Sequence, residues 1–175
     1  MRQATDILQQ LLPEFSVYDC QRMQQMNMPF AGHLFFRNVV TQELLGDCEA
    51  PILYWMGKEI GETYHIHAAE DLILAFIQLG LGKLELTLCT ARQIEYLLTH
   101  PHLTMQTTNR LERTLQFETG FIAGSIGKWL ERESNATLTL LGKDKKKNQL
   151  HTFRLLSQGN NLFLRAELLY SLHRY

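Results

Sequence analysis

Residues 117–130 read Phe-Glu-Thr-Gly-Phe-Ile-Ala-Gly-Ser-Ile-Gly-Lys-Trp-Leu, and they restrict the fold more than any other stretch. Gly120, Ala123, Gly124 and Gly127 recur at i, i+3, i+4 and i+7, the spacing of one helix face. Three glycines inside a helix cost about 3 kcal/mol relative to alanine. A helix that carries that cost recovers it by close approach to another backbone along the bare seam. Phe121, Ile126, Trp129 and Leu130 supply bulk around it. The stretch therefore reads as a long central helix pressed against a second helix or a sheet. Gly57 and Gly61, one turn apart in an apolar segment over 52–61, form a second bare seam. Lys58, Glu59 and Glu62 beside them point to a close helix crossing in water rather than to a membrane dimer.

The remaining pattern is mixed. Residues 5–12 carry a short amphipathic motif that Pro13 ends, and residues 16–29, rich in Gln and Met, read as an extended or mobile entry segment. Residues 32–45 predict a helix with Leu34, Phe35, Val39, Val40 and Leu44 on its apolar side and Gly46 as its stop. Asp47 is placed to cap the next helix, with Pro51 in its first turn and Ile52, Trp55, Met56 and Ile60 as its apolar face. A third helix over 68–79 would bury Leu72, Ile73, Phe76, Ile77 and Leu79. Alternation of polar and apolar residues over 83–89 and 93–98 predicts an antiparallel strand pair. Residues 103–113 are ambiguous. The central helix should end near Ser134-Asn135, and strands over 136–141 and 150–156 should flank a basic turn at 142–148. A short amphipathic helix over 162–175 follows. The fold class is α+β: an antiparallel sheet of about four strands packed with a bundle of helices, one of them long, central and glycine-seamed.

Charge and cysteine content limit the function. Lysine plus arginine total 17 against 18 aspartate plus glutamate, so no whole-protein field attracts nucleic acid, and none is expected as a partner. Lys143, Lys145, Lys146 and Lys147 form a local basic run, but Asp144 interrupts it and no aromatic side chain is interleaved to stack on bases. Cys20, Cys48 and Cys89 are odd in number and dispersed, which fits a reducing cytoplasm. No run reaches the length of about 18 apolar residues that a membrane span requires, and no leader pattern opens the chain. The expected location is cytoplasmic.

Several segments resemble a known family. Leu44-Leu45-Gly46-Asp47, Ile52-Leu53-Tyr54-Trp55-Met56-Gly57-Lys58, Leu79-Gly80-Leu81-Gly82-Lys83-Leu84 and Phe117-Glu118-Thr119-Gly120-Phe121-Ile122-Ala123 look like the small bacterial YslB-like family. That family is similar to the 4-vinyl reductase domain, and so to the fold group of haem-based nitric-oxide sensors and the small TRAPP tethering subunits. The resemblance covers about residues 34–156. It implies a 4-vinyl-reductase/TRAPP-like α+β domain over 32–156, with an N-terminal extension at 1–31 and a C-terminal extension at 157–175. In several relatives the layout encloses an apolar cavity or forms a dimer face. The haem-sensor branch uses a tyrosine, a serine two residues on and an arginine two after that. Tyr170-Ser171-Leu172-His173-Arg174 lacks that spacing, so no haem or other cofactor is expected. One TRAPP subunit carries an acylated cysteine soon after the segment matching 57–61, but no cysteine lies here between that segment and Cys89.

Four aromatic residues on the two seamed helices, Tyr54, Trp55, Phe121 and Trp129, either line an apolar ligand pocket or fill the core. Gly57, Gly61, Gly120, Gly124 and Gly127 are structural. The pairs His65/His67 and His100/His102 do not meet a zinc-ligand spacing, and no metal is expected. Cys89 in an alternating strand reads as a small buried hydrophobe. With no phosphate loop, nucleophile elbow or paired-carboxylate motif, no catalytic residue is assigned. These features lead to a non-enzymatic cytoplasmic binding or adaptor protein, a homodimer or docked on a protein partner. The alternative is a sensor holding a small apolar ligand between the helices of Trp55 and Trp129. An enzyme using Cys89 or the histidine pairs is the third reading.

Overall fold

A computed structural model describes residues 10–25, 30–90, 93–100, 103, 106–140 and 151–156. Helix α1 spans Val17–Gln25, where the sequence suggested an irregular segment. The missed signal is Ser16-Val17-Tyr18-Asp19. The Asp19 backbone N–H donates to Ser16 Oγ at 3.1 Å and the Ser16 N–H donates back to Asp19 Oδ2 at 3.3 Å, a reciprocal cap.

Helices α2 (Phe30–Phe35) and α3 (Thr41–Leu45) are joined without a break by a π turn, Phe36–Val40. The expected apolar side of this segment is not its buried side. Phe35, Phe36, Val39 and Leu44 are exposed, while Leu34 and Val40 are half-buried. Gly46, at φ 53°, ends α3, and a single 3-10 turn, Gly46–Cys48, follows. Asp47 therefore lies inside a turn instead of ahead of the next helix, and it caps nothing. Its carboxylate faces Arg113 across 3.6 Å at the surface.

Helix α4 spans Glu49–Thr63 and α5 spans Asp71–Gln78. The latter starts three residues later than its apolar pattern suggested, because the Asp71 carboxylate accepts hydrogen bonds from the His67 and Ala68 N–H groups at 2.8 and 3.2 Å and holds 68–70 in a turn. Its buried residues are Leu72, Ala75 and Phe76, while Ile77 points to solvent. Gly80 and Gly82, both at positive φ, release the chain into β1 (Lys83–Cys89), which pairs antiparallel with β2 (Gln93–Thr99). The ambiguous stretch contains α6, Thr108–Thr114, whose Thr107 cap accepts from the Arg110 N–H. Helix α7 spans Gln116–Trp129, and β3 (Asn135–Leu140) and β4 (His151–Leu156) complete the described elements.

The sheet is four-stranded and antiparallel in the order β1-β2-β4-β3, so β4 inserts between β2 and β3. Helix α7 is buried over nine consecutive residues, 118–126, and lies between β3 and α4. Phe76, Tyr96, Phe121, Ile122 and Ile126 anchor the core around it, and the Tyr96 hydroxyl donates to the Ala69 carbonyl at 2.8 Å. The basic run at 143–147, the amphipathic pattern of 5–9 and the segment 157–175 lie outside the described residues. No helix among those described is long and apolar enough to cross a membrane.

Candidate functional site

The two glycine seams meet. A Cβ built on Gly120 would lie 1.9 Å from the Tyr54 carbonyl oxygen, and one on Gly124 would lie 2.0 Å from that of Lys58. From the other side, a Cβ on Gly57 would meet the Phe117 carbonyl at 2.1 Å, and one on Gly61 the Phe121 carbonyl at 2.3 Å. Helices α4 and α7 are thus in backbone contact over two turns. The Ser125 hydroxyl adds a hydrogen bond to the Gly61 carbonyl at 3.1 Å. Gly127 lies beyond the crossing. Its nearest neighbour is the Arg132 carbonyl at 3.1 Å, in the turn after α7.

This closeness leaves no room along the seam for the apolar ligand of the alternative reading, and the four aromatic residues do not converge on one cavity. Phe121 is fully buried between Tyr64, Phe76 and Phe117, at ring-centroid distances of 6.0, 6.1 and 6.4 Å. Tyr54 is half-buried, and its hydroxyl accepts from the Ala136 N–H at 3.1 Å, which fixes the start of β3 to α4. Trp129 is half-buried at the core margin. Trp55 is 61% exposed and borders an open groove beside the end of α7.

Helix α4 is turned opposite to its hydrophobic pattern. Its interior row is Glu49, Leu53, Gly57 and Gly61, while Ile52, Trp55, Met56 and Ile60 face solvent. Periodicity identified the two faces correctly but not which one points inward. Glycines permit closer packing than isoleucine does, and here they occupy the interior.

Beneath the π turn lies a buried ionic cluster that the sequence reading did not single out. Glu49 and Glu118 are both wholly buried. Arg110 forks onto Glu49, with Nη1 to Oε2 at 2.5 Å and Nη2 to Oε1 at 2.7 Å. The same Nη2 donates to the Asn38 carbonyl at 2.8 Å, satisfying an acceptor in the π turn. Thr41 Oγ1 reaches Glu49 Oε1 at 3.0 Å. Arg37 forms an ion pair with Glu118 and donates to the Thr114 carbonyl at 3.0 Å. The Arg37–Glu118 contact lacks hydrogen-bond alignment, and among the described residues the Glu118 oxygens accept no hydrogen bond. His33 and His100 sit at the edge of this cluster. Burial and then the Arg37 charge hold the His33 imidazole below its usual value, burial, then His33, then Arg37 do the same for His100, and Glu118 opposes both shifts. The cluster ties α2 and its π turn to α4, α6 and α7. A buried pair of this kind adds little net stability over an apolar replacement, but removing one partner leaves an uncompensated buried charge. A signal was present in the sequence. Glu49 precedes Leu53 by four residues and Gly57 by eight, and Glu118 precedes Phe121 by three, so both lie on interior rows.

Cys48 and Cys89 are free thiols. Cys48 is exposed, and Cys89 is pushed up first by burial and then by the nearby Glu70 charge. His65 and His67 are exposed, and no cluster of three or more His, Cys, Asp or Glu side chains able to hold a metal occurs among the described residues.

Residues 30–157 match the family model described as "Protein of unknown function (DUF2507)". The chain belongs to this family. As a DUF2507 protein it is 24% identical over 104 residues to the uncharacterized protein YslB of Bacillus subtilis (strain 168), covering 59% of this chain and 70% of that one. Its fold is similar to the crystal structure of a vinyl-4-reductase family protein from Methanocaldococcus jannaschii, with a TM-score of 0.58 and 17% identity over 88% of this chain and 94% of the other. At that identity the likeness is one of fold.

Proposed function

We propose that this DUF2507 protein acts by binding rather than by catalysis, and that it docks on a second copy of itself through the outward face of α4. The observation that carries the reading is the inverted helix. Its interior row is glycine, and its bulky apolar residues Ile52, Met56 and Ile60 form an unbroken i, i+4, i+8 row in solvent. Phe35, Phe36, Val39 and Leu44 of the preceding helical segment are exposed as well. Single exposed apolar side chains need no explanation, but rows of them on one element mark association surfaces. The net charge of −1 opposes self-association only weakly.

The chemistry of the interior supports the non-enzymatic half. Each buried carboxylate is paired with an arginine inside the fold, and burial makes Cys89 a poorer thiolate source. The free Cys48 and Cys89 support a reducing, cytoplasmic setting. Light scattering across the micromolar range tests the reading. The wild type should be dimeric and the Met56→Lys/Ile60→Lys variant monomeric, with an unchanged circular-dichroism spectrum. A monomeric wild type throughout that range would overturn it.

A further inference from the structure

The groove beside the end of α7 has a volume of about 680 Å³ and is walled by Trp55 and Lys58 of α4 and by the turn that follows α7. Three features set it apart from an ordinary surface furrow. Lys58 is only 7% exposed, yet its three ammonium protons have poor partners. Nζ reaches Asn135 Oδ1 at 3.4 Å and Glu133 at 3.9 Å, and Glu133 is itself 80% exposed, so that pair contributes little. The indole of Trp55, 5.1 Å from Nζ, supplies a cation–π contact. The Ser134 hydroxyl, buried in the groove wall, has no hydrogen-bond partner among the described residues. Glu131, also in the wall at φ 51°, is the left-handed cap that ends α7, with the Arg132 N–H donating to the Gly127 carbonyl at 3.0 Å.

We propose that this groove binds a small aromatic carboxylate. The ligand ring packs on the exposed indole of Trp55, and its carboxylate accepts from Lys58 Nζ and, once the buried Ser134 hydroxyl turns into the groove, from Ser134 Oγ, giving the serine an acceptor and Lys58 a charged one nearer than Glu133. Charge selects the monoanion. Lys58, Lys128 and Arg132 line the groove together with Glu62, Glu131 and Glu133, so its formal charge is balanced. One negative charge beside Lys58 is accommodated, whereas a dianionic phosphate meets three carboxylates within the same walls. An amine whose ring packs on Trp55 sets its ammonium beside that of Lys58, a like-charge contact.

The test uses the full chain with Trp129→Phe, which leaves Trp55 as its one tryptophan. Benzoate, phenyl phosphate and benzylamine are titrated at constant ionic strength while Trp55 fluorescence is followed. Benzoate should give a saturable response with an affinity on the order of millimolar, as suits so small a ligand. Phenyl phosphate should bind at least tenfold more weakly and benzylamine should give no saturable response. Lys58→Met should weaken benzoate at least tenfold. Ser134→Ala should weaken it severalfold with the circular-dichroism spectrum unchanged, so a decision survives if the Lys58 variant does not fold. No saturation with benzoate, equal binding of phenyl phosphate or benzylamine, or an unaffected Ser134→Ala variant would each overturn the proposal. The inference does not rest on self-association. Repeating the titration on the Met56→Lys/Ile60→Lys variant, where the benzoate response should persist, separates the two.

Discussion

Gly120→Ala tests whether backbone contact between α4 and α7 organises the fold. The added Cβ would meet the Tyr54 carbonyl oxygen at 1.9 Å, its carbon at 2.8 Å and the Lys58 nitrogen at 2.9 Å. All three are backbone atoms, so no rotamer change relieves the clash. Ordinary contact begins at 3.4 Å, so the helices must part by about 1.5 Å at this level. Parting them opens gaps at Gly57, Gly61 and Gly124, where the packing is just as close. Overpacking alone costs about 1–3 kcal/mol, and loss of these neighbouring contacts puts this site at the upper end. Alanine returns about 1 kcal/mol of helix propensity. The expected net loss is about 2 kcal/mol, or a urea midpoint lower by roughly 1 M. Gly32→Ala is the control. Gly32 also lies in a helix, but a Cβ there meets nothing within 4 Å, so alanine should raise stability by about 0.5–1 kcal/mol. Urea denaturation followed by circular dichroism reads both. A Gly120→Ala midpoint at or above that of the wild type would refute the seam as an essential contact.

Other outcomes follow from the interior charges and thiols. Arg110→Met leaves the wholly buried Glu49 carboxylate without its fork and should cost about 3 kcal/mol in urea denaturation, with Arg110→Met/Glu49→Leu recovering more than half of it. His33 and His100 have folded pKa values below the unfolded one, because burial and Arg37, and for His100 also His33, disfavour the imidazolium. Their contribution to stability is therefore present above the unfolded histidine pKa of about 6.5 and is lost as pH falls through the lower folded values. The urea midpoint should drop as pH falls from neutral through the histidine range, and His33→Gln/His100→Gln should reduce that drop. Cys48 should alkylate faster than Cys89, by roughly tenfold, in peptide-mapped iodoacetamide labelling at neutral pH, because Cys89 is both less accessible and less ionised.

The local architecture was largely legible in the sequence, while directions were not. Glycine spacing identified α4 and α7 as closely packed helices, though not that each is the other's partner, and polar–apolar alternation located β1 and β2 within a residue of their observed ends. Periodicity groups residues onto a face without saying which face is interior. On α4 the apolar row was assigned to the core, but the glycine row took that place because it allows backbone contact. Similarly, four strands were countable, but the insertion of β4 between β2 and β3 is a tertiary choice that sequence adjacency does not encode. The π turn at Phe36–Val40 keeps a helical repeat in the sequence while shifting the face by one residue, which helps explain why Phe35, Val39 and Leu44 emerge into solvent. The groove escaped detection because Lys58 and Ser134 have no motif. Their significance lies in burial without adequate partners, a property visible only in the fold.

The orientation of α4 divides its surface into two rows with different chemistry. At about 100° per residue, Met56 and Lys58 lie on opposite flanks of Gly57, and the same holds for Ile60 and Glu62 about Gly61. One flank is therefore the exposed row Ile52, Met56 and Ile60. The other is Tyr54, Lys58 and Glu62, of which Lys58 and Glu62 border the groove. Trp55 stands opposite the seam, between them. Two surfaces separated by roughly 200° around a helix share few neighbours, so their substitutions should act independently. Met56→Lys/Ile60→Lys should abolish self-association and leave the benzoate affinity of the Trp129→Phe chain within about twofold, while Ser134→Ala should weaken benzoate and leave the dimer intact. The combined variant should show both effects, each at its single-variant size to within about 0.5 kcal/mol. Loss of the benzoate response in the monomer would mean instead that the groove is completed by the second copy, and that assembly and ligand binding are one event on this helix.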